Sequence, residues 1–323
     1  MTRRKNILSS EWIKAEAVRL GFSACGMAQA CAVESSHADF FTHWVERGCH
    51  ADMNYLERHA DKRFHPSLLV EGTRTIVSVA LNYYPSVFLP DGQPQISWYA
   101  YGQDYHDVMR VKLQQLFDAI CAVHPDISVS GRCFCDTAPL LERYWAWQAG
   151  LGWLGRNKQL VIPHAGSTFF LGEILLNMDA DHYDSPMDSK CGTCSRCIDA
   201  CPVQALSSDG GLDARRCLSY LTIEHRGDIP HDAVTKMSTC FYGCDRCQQV
   251  CPHLCHATPT KEQAFMPRQE LLEMGWEEWQ QLTEEKYRSL FKGSAVKRAK
   301  FSGLCRNIKA MLKTQQGEPS DFT

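Results

Sequence analysis

The sequence predicts an α+β protein whose chain divides into three parts of different composition. Strand-like and helical patterns alternate up to about residue 180, which gives the first part an α/β-like character. A polar, turn-rich stretch at 180–190 follows, and cysteines then concentrate between residues 191 and 257. The last part has helical spacing over 266–313. We therefore place the three parts at 1–182, 183–260 and 261–323.

The elements of the first part follow from periodicity and from residues that start or stop a helix. Ser9 or Ser10 can cap the first helix, and Gly21 can end it. The run TIVSVALNYY is rich in β-branched and aromatic residues and stops before Pro85, as expected of a buried strand. The predicted helices run from the serine cap to about Leu20, over Asp104–Ala122 and over Pro139–Ala149, and the predicted strands cover Thr75–Tyr84 and Phe169–Leu176.

Length, charge and cysteine content exclude several classes of protein. The chain has 323 residues, 44% of them hydrophobic, and a net charge of −3, so it can bury a large core and is not a polycation. No apolar run approaches the ~18 residues that cross a bilayer, and no apolar stretch follows the basic N-terminus as in a secretory signal. We expect a cytoplasmic protein without membrane contact, whose 17 cysteines stay reduced.

The first cysteine motif is Cys191-x2-Cys194-x2-Cys197-x3-Cys201-Pro202. Its spacing is that of bacterial ferredoxins, in which three thiolates bind one 4Fe-4S cluster and the fourth binds the other cluster. Cysteine pairs at this spacing also bind zinc. Four cysteines that end in Cys-Pro favour the iron–sulfur interpretation, and they predict a ferredoxin-like fold for this part.

The second motif, Cys244-x2-Cys247-x3-Cys251-Pro252, lacks one cysteine. Two clusters need eight thiolates, and the two motifs supply seven. By the ferredoxin exchange rule, Cys251 completes the first cluster, and Cys201 joins Cys244 and Cys247. The spacing leaves both Cys217 and Cys240 open as the eighth ligand.

Several further segments give the chain a specific resemblance. From about Leu20 to Met311 it resembles the epoxyqueuosine reductases, cobalamin-dependent iron–sulfur enzymes that reduce epoxyqueuosine in the tRNA anticodon to queuosine. It departs from the common family pattern at His65, Arg156 and His253. The segments that carry the resemblance are Met53–Arg58 (MNYLER), Tyr101–His106 (YGQDYH), Asp136–Pro139 (DTAP), Gly150–Asn157 (GLGWLGRN), Phe170–Glu173 (FLGE), Cys217–Glu224 (CLSYLTIE) and Gly293–Arg298 (GSAVKR).

The resemblance implies two 4Fe-4S clusters, a cobalamin and a carboxylic acid that delivers a proton. It implies Cys217 as the eighth thiolate, an external low-potential electron donor, and tRNA carrying epoxyqueuosine at the wobble position as the partner of a monomeric enzyme. The implied cluster ligands are Cys191, Cys194, Cys197 and Cys251 for one cluster, and Cys201, Cys217, Cys244 and Cys247 for the other. The implied cobalamin contacts are Arg63, Tyr101, Tyr105, His106, Asp136, Asn157, Leu160, Leu171 and Glu224.

Asp136 is the residue to which we assign proton delivery. Deoxygenating an epoxide takes two electrons and a positioned acid, because ring opening leaves an alkoxide. Alternatively, Asp136 or Thr137 before Pro139 is an ordinary helix N-cap. We interpret the nearby Asp104-x-His106 as a helix start rather than as a cobalt-ligating motif.

The C-terminal part carries a basic stretch on a slightly acidic chain, which favours contact with tRNA phosphates. Two other functions remain open from the sequence: a corrinoid iron–sulfur reductase of a small molecule, resembling a dehalogenase, and a two-cluster electron-transfer protein. The basic residues are Lys292, Lys297, Arg298, Lys300, Arg306 and Lys309.

Overall fold

The computed structural model describes residues 7–316, in which helices and strands are mostly short. Its strands are β1 (Ile7–Leu8), β2 (Ala24–Gln29), β3 (Thr75–Asn82), β4 (Gln95–Ile96), β5 (Gly131–Phe134), β6 (Trp153–Leu154), β7 (Leu160–Val161), β8 (Phe169–Leu176), β9 (Asp179–Ala180) and β10 (Cys240–Tyr242). Its α-helices are α1 (Ser10–Arg19), α2 (Ser35–Glu46), α3 (Ala60–Phe64), α4 (Pro66–Leu69), α5 (Tyr105–Ala122), α6 (Glu142–Gln148), α7 (Arg196–Asp199), α8 (Leu218–Ile223), α9 (His231–Val234), α10 (Arg246–Gln249), α11 (Gln269–Leu272), α12 (Trp276–Gln280), α13 (Glu284–Leu290) and α14 (Lys300–Gln316). Over these residues, no helix is both long and apolar enough to cross a membrane.

The main sheet has four strands in the order β2-β3-β8-β5, and every pair is antiparallel. The predicted strands are confirmed as β3 and β8, which form the centre of this sheet. The α/β-like character expected of the first part is wrong, because crossover helices of that class connect parallel strands. The observed mixture of helices with an antiparallel sheet is an α+β architecture.

The two faces of the sheet are buried by different helices. One face packs with α1 and α5 in a cluster that includes Ile13, Leu113 and Ile174. The other face packs with α6 in a second cluster that includes Trp145 and Leu175. Strand β8 is therefore covered on both sides, which explains its nearly continuous apolar sequence.

Two of the three predicted helices start where the sequence indicates. The side chain of Ser9 accepts from the backbone N–H of Trp12 at the start of α1, and the carboxylate of Asp104 accepts from the backbone N–H of His106 at the start of α5. Helix α6 begins at Glu142, three residues later than predicted, after Leu141 without a side-chain cap. Asp136 therefore does not cap α6, and the N-cap interpretation of this residue is wrong.

The cysteine-rich and C-terminal parts share a hydrophobic core with part of the N-terminal region. Strand β10 pairs in parallel with β4, which joins residues from the first and second parts. A single cluster contains Ile96, Phe241, Trp279 and Leu304, one or more from each predicted part. The helical character predicted for 266–313 is confirmed by α11 to α14. The division into three domains stays a prediction.

Candidate active site

A cavity of about 1140 Å³ lies between the sheet, helix α6 and the second cysteine motif. Aromatic and aliphatic side chains form much of its wall, and several cationic groups reach it. Cys244 from the second motif also lines the cavity. The apolar lining residues include Phe41, Tyr83, Tyr99, Leu160, Phe170 and Leu171, and the cationic ones are Arg58, Arg63, Arg143 and Lys158.

Asp136 enters this cavity from the loop that follows β5. Its backbone has φ 55°, a left-handed conformation that aspartate tolerates better than most residues. The hydroxyl of Tyr105 donates to Asp136 Oδ2 at 2.5 Å, and His106 Nε2 lies 3.8 Å from the same oxygen. With 64% of its side chain exposed, the carboxylate faces the open space of the cavity.

Tyr105 is held in place by stacking on both sides. Its ring lies 4.3 Å from that of Phe170 with the planes nearly parallel, and 4.0 Å from the imidazole of His106. His106 Nδ1 in turn lies 2.7 Å from the carboxylate of Asp104 at the start of α5. The helix-start interpretation of Asp104 and His106 is therefore confirmed, and the same turn positions the partner of Asp136.

Two further carboxyl groups lie close to Asp136, one of them, Glu142, in the cavity wall itself, and the sequence predicts a role for neither. Glu142 accepts a hydrogen bond from the backbone N–H of Asp136. Burial, and after it the charge of Asp136, raises the pKa of Glu142 to about 8. Glu173 on β8 is fully buried, and burial together with Glu142 and Asp136 raises its pKa well above the usual range.

Arg63 is a buried cation at the cavity wall. Its side chain is only 5% exposed, its guanidinium lies 5.2 Å from the ring centre of Phe41, and Nη2 donates to the carbonyl oxygens of Tyr55 and Arg58 at 3.5 and 3.4 Å. Within the described part of the chain, Nε of Arg63 has no hydrogen-bond partner. A buried donor without a partner is costly, so this group is suited to a polar atom of a ligand.

The predicted cobalamin contacts do not all reach the cavity. Among the described residues, Arg63, Tyr105, Asp136, Leu160 and Leu171 line it. The other four predicted residues, Tyr101, His106, Asn157 and Glu224, are not in its wall.

Those four residues have partners in the protein. The hydroxyl of Tyr101 accepts from the backbone N–H of Leu89 at 3.4 Å inside the C-terminal core, and His106 pairs with Asp104 as described above. Asn157 Nδ2 donates to the carbonyl oxygen of Cys247 at 3.4 Å, which connects the segment Gly155–Asn157 to the second cysteine motif. Glu224 forms a bidentate pair with Arg298 at 2.8 Å for both bonds.

Thiols of the two cysteine motifs lie close to one another in space. Burial, and after it Cys191 and Cys251, raises the pKa of the Cys197 thiol. Burial, and after it the nearby Cys191 and Cys194, raises the pKa of Cys251. Cysteine side chains that raise one another's pKa lie close together, so Cys251 lies near Cys191, Cys194 and Cys197 although it belongs to the second motif.

Cys217 lies near other cysteines of the two motifs. Burial raises the pKa of Cys244 to about 12, with Cys217 contributing, and burial followed by Cys244 and Cys217 raises the pKa of Cys247. Cys217 also lies near Cys201, which raises its pKa after burial does. Cys240 is near Cys244, but its thiol faces the carbonyl oxygens of Tyr242 and Gly243 at 3.6 and 3.4 Å.

The cysteine groups do not have the geometry of a single-ion site. Nowhere in residues 7–316 do three or more His, Cys, Asp or Glu side chains converge closely enough to hold one metal ion. A zinc site needs four ligands on one atom, whereas each thiolate of a 4Fe-4S cluster binds a different iron and the thiolates lie further apart. The spacing of the first motif favours clusters over zinc.

Comparison with known proteins agrees with this interpretation. Residues 190–253 match the family described as the 4Fe-4S double cluster binding domain, and residues 63–137 match the family described as epoxyqueuosine reductase QueG, DUF1730. An epoxyqueuosine reductase of Cellulophaga algicola is 42% identical over 93% of this chain and 96% of its own length. Another from Cyclobacterium marinum is 43% identical over 92% of this chain and 94% of its own length.

The chain belongs to the epoxyqueuosine reductase family. It is thus a member of a family of oxidoreductases with an iron–sulfur binding domain. The predicted resemblance is confirmed.

Solved epoxyqueuosine reductases have the same fold. A crystal structure of one with an epoxyqueuosine-modified tRNA-Tyr stem loop aligns with a TM-score of 0.86 and 28% identity, over 94% of this chain and 80% of that one. A Bacillus subtilis epoxyqueuosine reductase aligns with a TM-score of 0.85 and 27% identity, over 94% of this chain and 81% of that one. That protein was crystallised with a catalytic loop that carries an aspartate swung out of the active site.

In this epoxyqueuosine reductase family member, only some residues of the basic C-terminal stretch are free to contact a polyanion. Arg298 is paired with Glu224, and Arg306 donates to the carbonyl oxygens of Leu221, His225 and Gly227. Arg306 is therefore committed to holding α14 against the end of α8, contrary to its predicted contact with phosphate. Lys292, Lys297, Lys300 and Lys309 are exposed.

Proposed function

We propose that this protein reduces epoxyqueuosine to queuosine at the wobble position of tRNA, with electrons from 4Fe-4S clusters. One observation carries the proposal: Asp136, a candidate acid, and Cys244, a candidate cluster ligand, line the same cavity. Such a cavity brings a proton donor and an electron source to one substrate. The family relationship, and the tRNA stem loop bound by a relative of the same fold, support the substrate.

The proposed electron path has two clusters. Cys191, Cys194, Cys197 and Cys251 hold one cluster, and Cys201, Cys217, Cys244 and Cys247 hold the other. The mutual pKa effects described above support this grouping and favour Cys217 over Cys240 as the eighth ligand. Binding deprotonates thiols whose pKa is high without metal, so cluster assembly releases protons. An external low-potential donor supplies the electrons.

Cobalamin fits the cavity by size and by lining. A volume of about 1140 Å³ with flat aromatic side chains suits a large, largely apolar macrocycle. Arg63, with its unpartnered Nε, and Arg143 would hold polar groups of a bound cobalamin, and Leu160 and Leu171 would contact its apolar parts. When bound, reduced cobalamin supplies a strong nucleophile for opening the epoxide.

The protein's own residues position the substrate oxygen and deliver a proton to it. Tyr105 holds the carboxyl of Asp136 by its hydrogen bond, and Phe170 fixes the ring of Tyr105. Asp136 can then give its proton to the oxygen that leaves the opened ring. The modified nucleotide has to leave the anticodon stack to reach this acid, as substrates of base-modifying enzymes generally do. We place the monomeric enzyme with tRNA in the cytoplasm.

The test is anaerobic incubation of the purified protein with a chemical reductant, cobalamin and tRNA that contains epoxyqueuosine, followed by mass spectrometry of the nucleosides. We expect queuosine to form and to depend on cobalamin. The matched control is tRNA that carries guanine at the wobble position, which should remain unchanged. Protein with full clusters and bound cobalamin that leaves epoxyqueuosine intact would refute the proposal.

A further inference from the structure

Glu173 is a carboxyl group in an unusual place. It lies at the middle of β8 in the main sheet, opposite Ser78 of β3 and Phe134 of β5, and it is fully buried. Neither of its oxygens has a hydrogen-bond partner among residues 7–316. A carboxyl without partners in an apolar interior has no hydrogen bond or ion pair to stabilise its charged form, and it persists there only in the neutral, protonated form.

Glu173 lies next to the proposed acid rather than in a remote part of the core. Its side chain shares a face of the sheet with Leu171 and Leu175, which pack in the cluster formed with α6. Helix α6 begins at Glu142, which accepts from the backbone N–H of Asp136. The three carboxyls thus run from the interior, through the start of α6, to the cavity.

The charged and titratable groups around this row are few. Cys135 is buried among Glu142, Asp136 and Glu173, each of which raises its pKa after burial does. Arg143 faces Glu142 and lowers its pKa, while Tyr105 and His106 face Asp136. No carboxyl in the row forms an ion pair with Lys or Arg in the described part of the chain, so no such pair opposes the raised pKa of Glu142 or of Glu173.

The chemistry of the proposed function requires more protons than Asp136 can hold. Removing an epoxide oxygen as water converts epoxide, two electrons and two protons into alkene and water. One proton goes to the oxygen when the first C–O bond opens, and the second goes to the resulting hydroxyl when the other C–O bond breaks. One carboxylic acid holds one proton, and a cavity filled by cofactor and nucleotide limits the exchange of protons with bulk water.

We propose that Glu142, in the cavity wall, and the buried Glu173 form a carboxyl pair that supplies the second proton through Asp136. This inference rests on the proposed function. Asp136 gives its proton to the opened ring and becomes a carboxylate. Glu142 then transfers its own proton to Asp136, while Glu173 keeps its proton, because two neighbouring carboxyls do not readily ionise together. The recharged Asp136 protonates the hydroxyl that leaves as water, and the two electrons come from the external donor.

The first test measures the protons directly, without turnover. Infrared spectra of the cobalamin-bound protein without tRNA should show neutral carboxyl absorption at pH 7, part of which disappears as the pH rises through about 8. Glu142→Gln should remove the part that titrates, and Glu173→Gln should remove a part that persists above pH 8. A wild-type spectrum without neutral carboxyl absorption at pH 7 overturns the proposal.

The pH dependence of thermal stability is a second test of whether Glu173 is protonated. The pKa of Glu173 is raised by folding, so its contribution to stability is present below its unfolded pKa of about 4.3 and is lost as the pH rises above that value. Glutamine has no such dependence. The melting temperature of Glu173→Gln minus that of wild type should therefore increase by about 2 °C or more between pH 5 and pH 8. A difference that is constant with pH means that Glu173 is not a buried neutral acid.

The third test asks whether the pair serves the reaction. In single turnovers of reduced protein, Glu142→Gln keeps the hydrogen bond to the backbone of Asp136 and loses only the proton. We expect it to match wild type at pH 6, where solvent acid replaces the proton, and to be about 10-fold slower or more at pH 8. Ser78→Ala, which removes a buried hydroxyl from the same face, should follow wild type at both pH values.

The outcomes separate the two proposals. Wild type that does not convert epoxyqueuosine overturns the proposed function and with it the role of the pair, whereas the infrared and melting results still report on the buried protons. Wild type that turns over, with a Glu142→Gln defect that is absent or equal at pH 6 and pH 8, overturns the proton supply alone. Iron content and cobalamin binding of each variant, measured first, identify any loss that comes from misfolding.

Discussion

The cysteine motifs and the main sheet are stabilised in different ways. The motifs have helices of four residues, α7 and α10, and their cysteines are only partly buried. The sheet has eight-residue strands such as β3, whose residues Ile76 and Val77 are fully buried. The sheet is therefore stable through apolar burial, whereas the motifs depend on bonds to metal for their shape. Loss of a cluster should disorder one region and leave the other folded.

The largest effect that we expect is on the metal-dependent region. Cys217→Ala should lose one of two clusters, reducing roughly eight irons per chain to roughly four, and should reduce turnover to background. Amide hydrogen exchange should rise over 191–257 while β3 and β8 stay protected. The matched variant Cys240→Ala should keep all its iron. Iron loss in Cys240→Ala instead would reverse the assignment of the eighth ligand.

The next effect tests the cavity with both regions intact. Asp136→Asn keeps a side chain that tolerates the left-handed backbone, with φ 55°, and removes only the transferable proton. We expect turnover to fall by about 10²-fold or more, with unchanged iron content, cobalamin binding and cobalamin reduction. Thr137→Ala, a change in the same loop without an acid, is the control. Normal turnover in Asp136→Asn would exclude Asp136 as the acid.

The contrast between the cysteine motifs and the main sheet also bears on which features could be predicted from the sequence. Cluster ligands are set by short spacings, and strand β8 by a continuous apolar run, so both can be recognised locally. Glu142 and Glu173 could not be recognised, because their role depends on α6 packing over the sheet beside Asp136. The late start of α6 has the same origin: the loop before it is shaped by the bond from the Asp136 backbone to Glu142.

Tyr101 shows a related limit of sequence analysis. It lies in the same family-like segment as Tyr105, yet its hydroxyl bonds to Leu89 inside the C-terminal core, whereas Tyr99, two residues earlier, lines the cavity. The turn at Trp98–Ala100 decides which tyrosine faces which side. The spacing of the tyrosines in the sequence does not predict which of them faces the cavity. Arg306 was likewise grouped with the exposed lysines because its carbonyl partners lie about 80 residues earlier in the chain.

A smaller effect concerns the contact that joins α14 to the end of α8. Arg306→Ala leaves the carbonyl oxygens of Leu221 and His225 without their donor. We expect a loss of about 2 kcal/mol in the free energy of unfolding, measured with denaturant. Lys309→Ala removes the same charge from an exposed position of α14 and should change stability by less than about 0.5 kcal/mol. Equal losses in the two variants would mean that charge, and not the carbonyl contacts, is responsible.

The smallest effect that we expect is on tRNA affinity. Lys297 and Lys300 are exposed, so replacing both by alanine should weaken tRNA binding and reduce the log–log salt slope by about 1 to 2 units. The control removes two charges elsewhere, Arg19 of α1 and Arg110 of α5, which pair with acidic neighbours on their own helices. If the control changes the salt slope as much as the lysine variant, the C-terminal stretch has no special role.

The pairing of β10 with β4 has a consequence for biosynthesis. Cys240 lies opposite Gln95, and the proposed partner of the first three cysteines is Cys251, fifty or more residues further on. At ~5–20 residues per second, the ribosome releases β10 roughly 7–30 seconds after β4. Over the 54 residues from Cys197 to Cys251, the first motif has three of its four proposed cluster ligands, and β4 has no partner strand until β10 is released. Cluster insertion is therefore a late event, which follows release of the second motif and requires the nascent thiols to stay reduced until then.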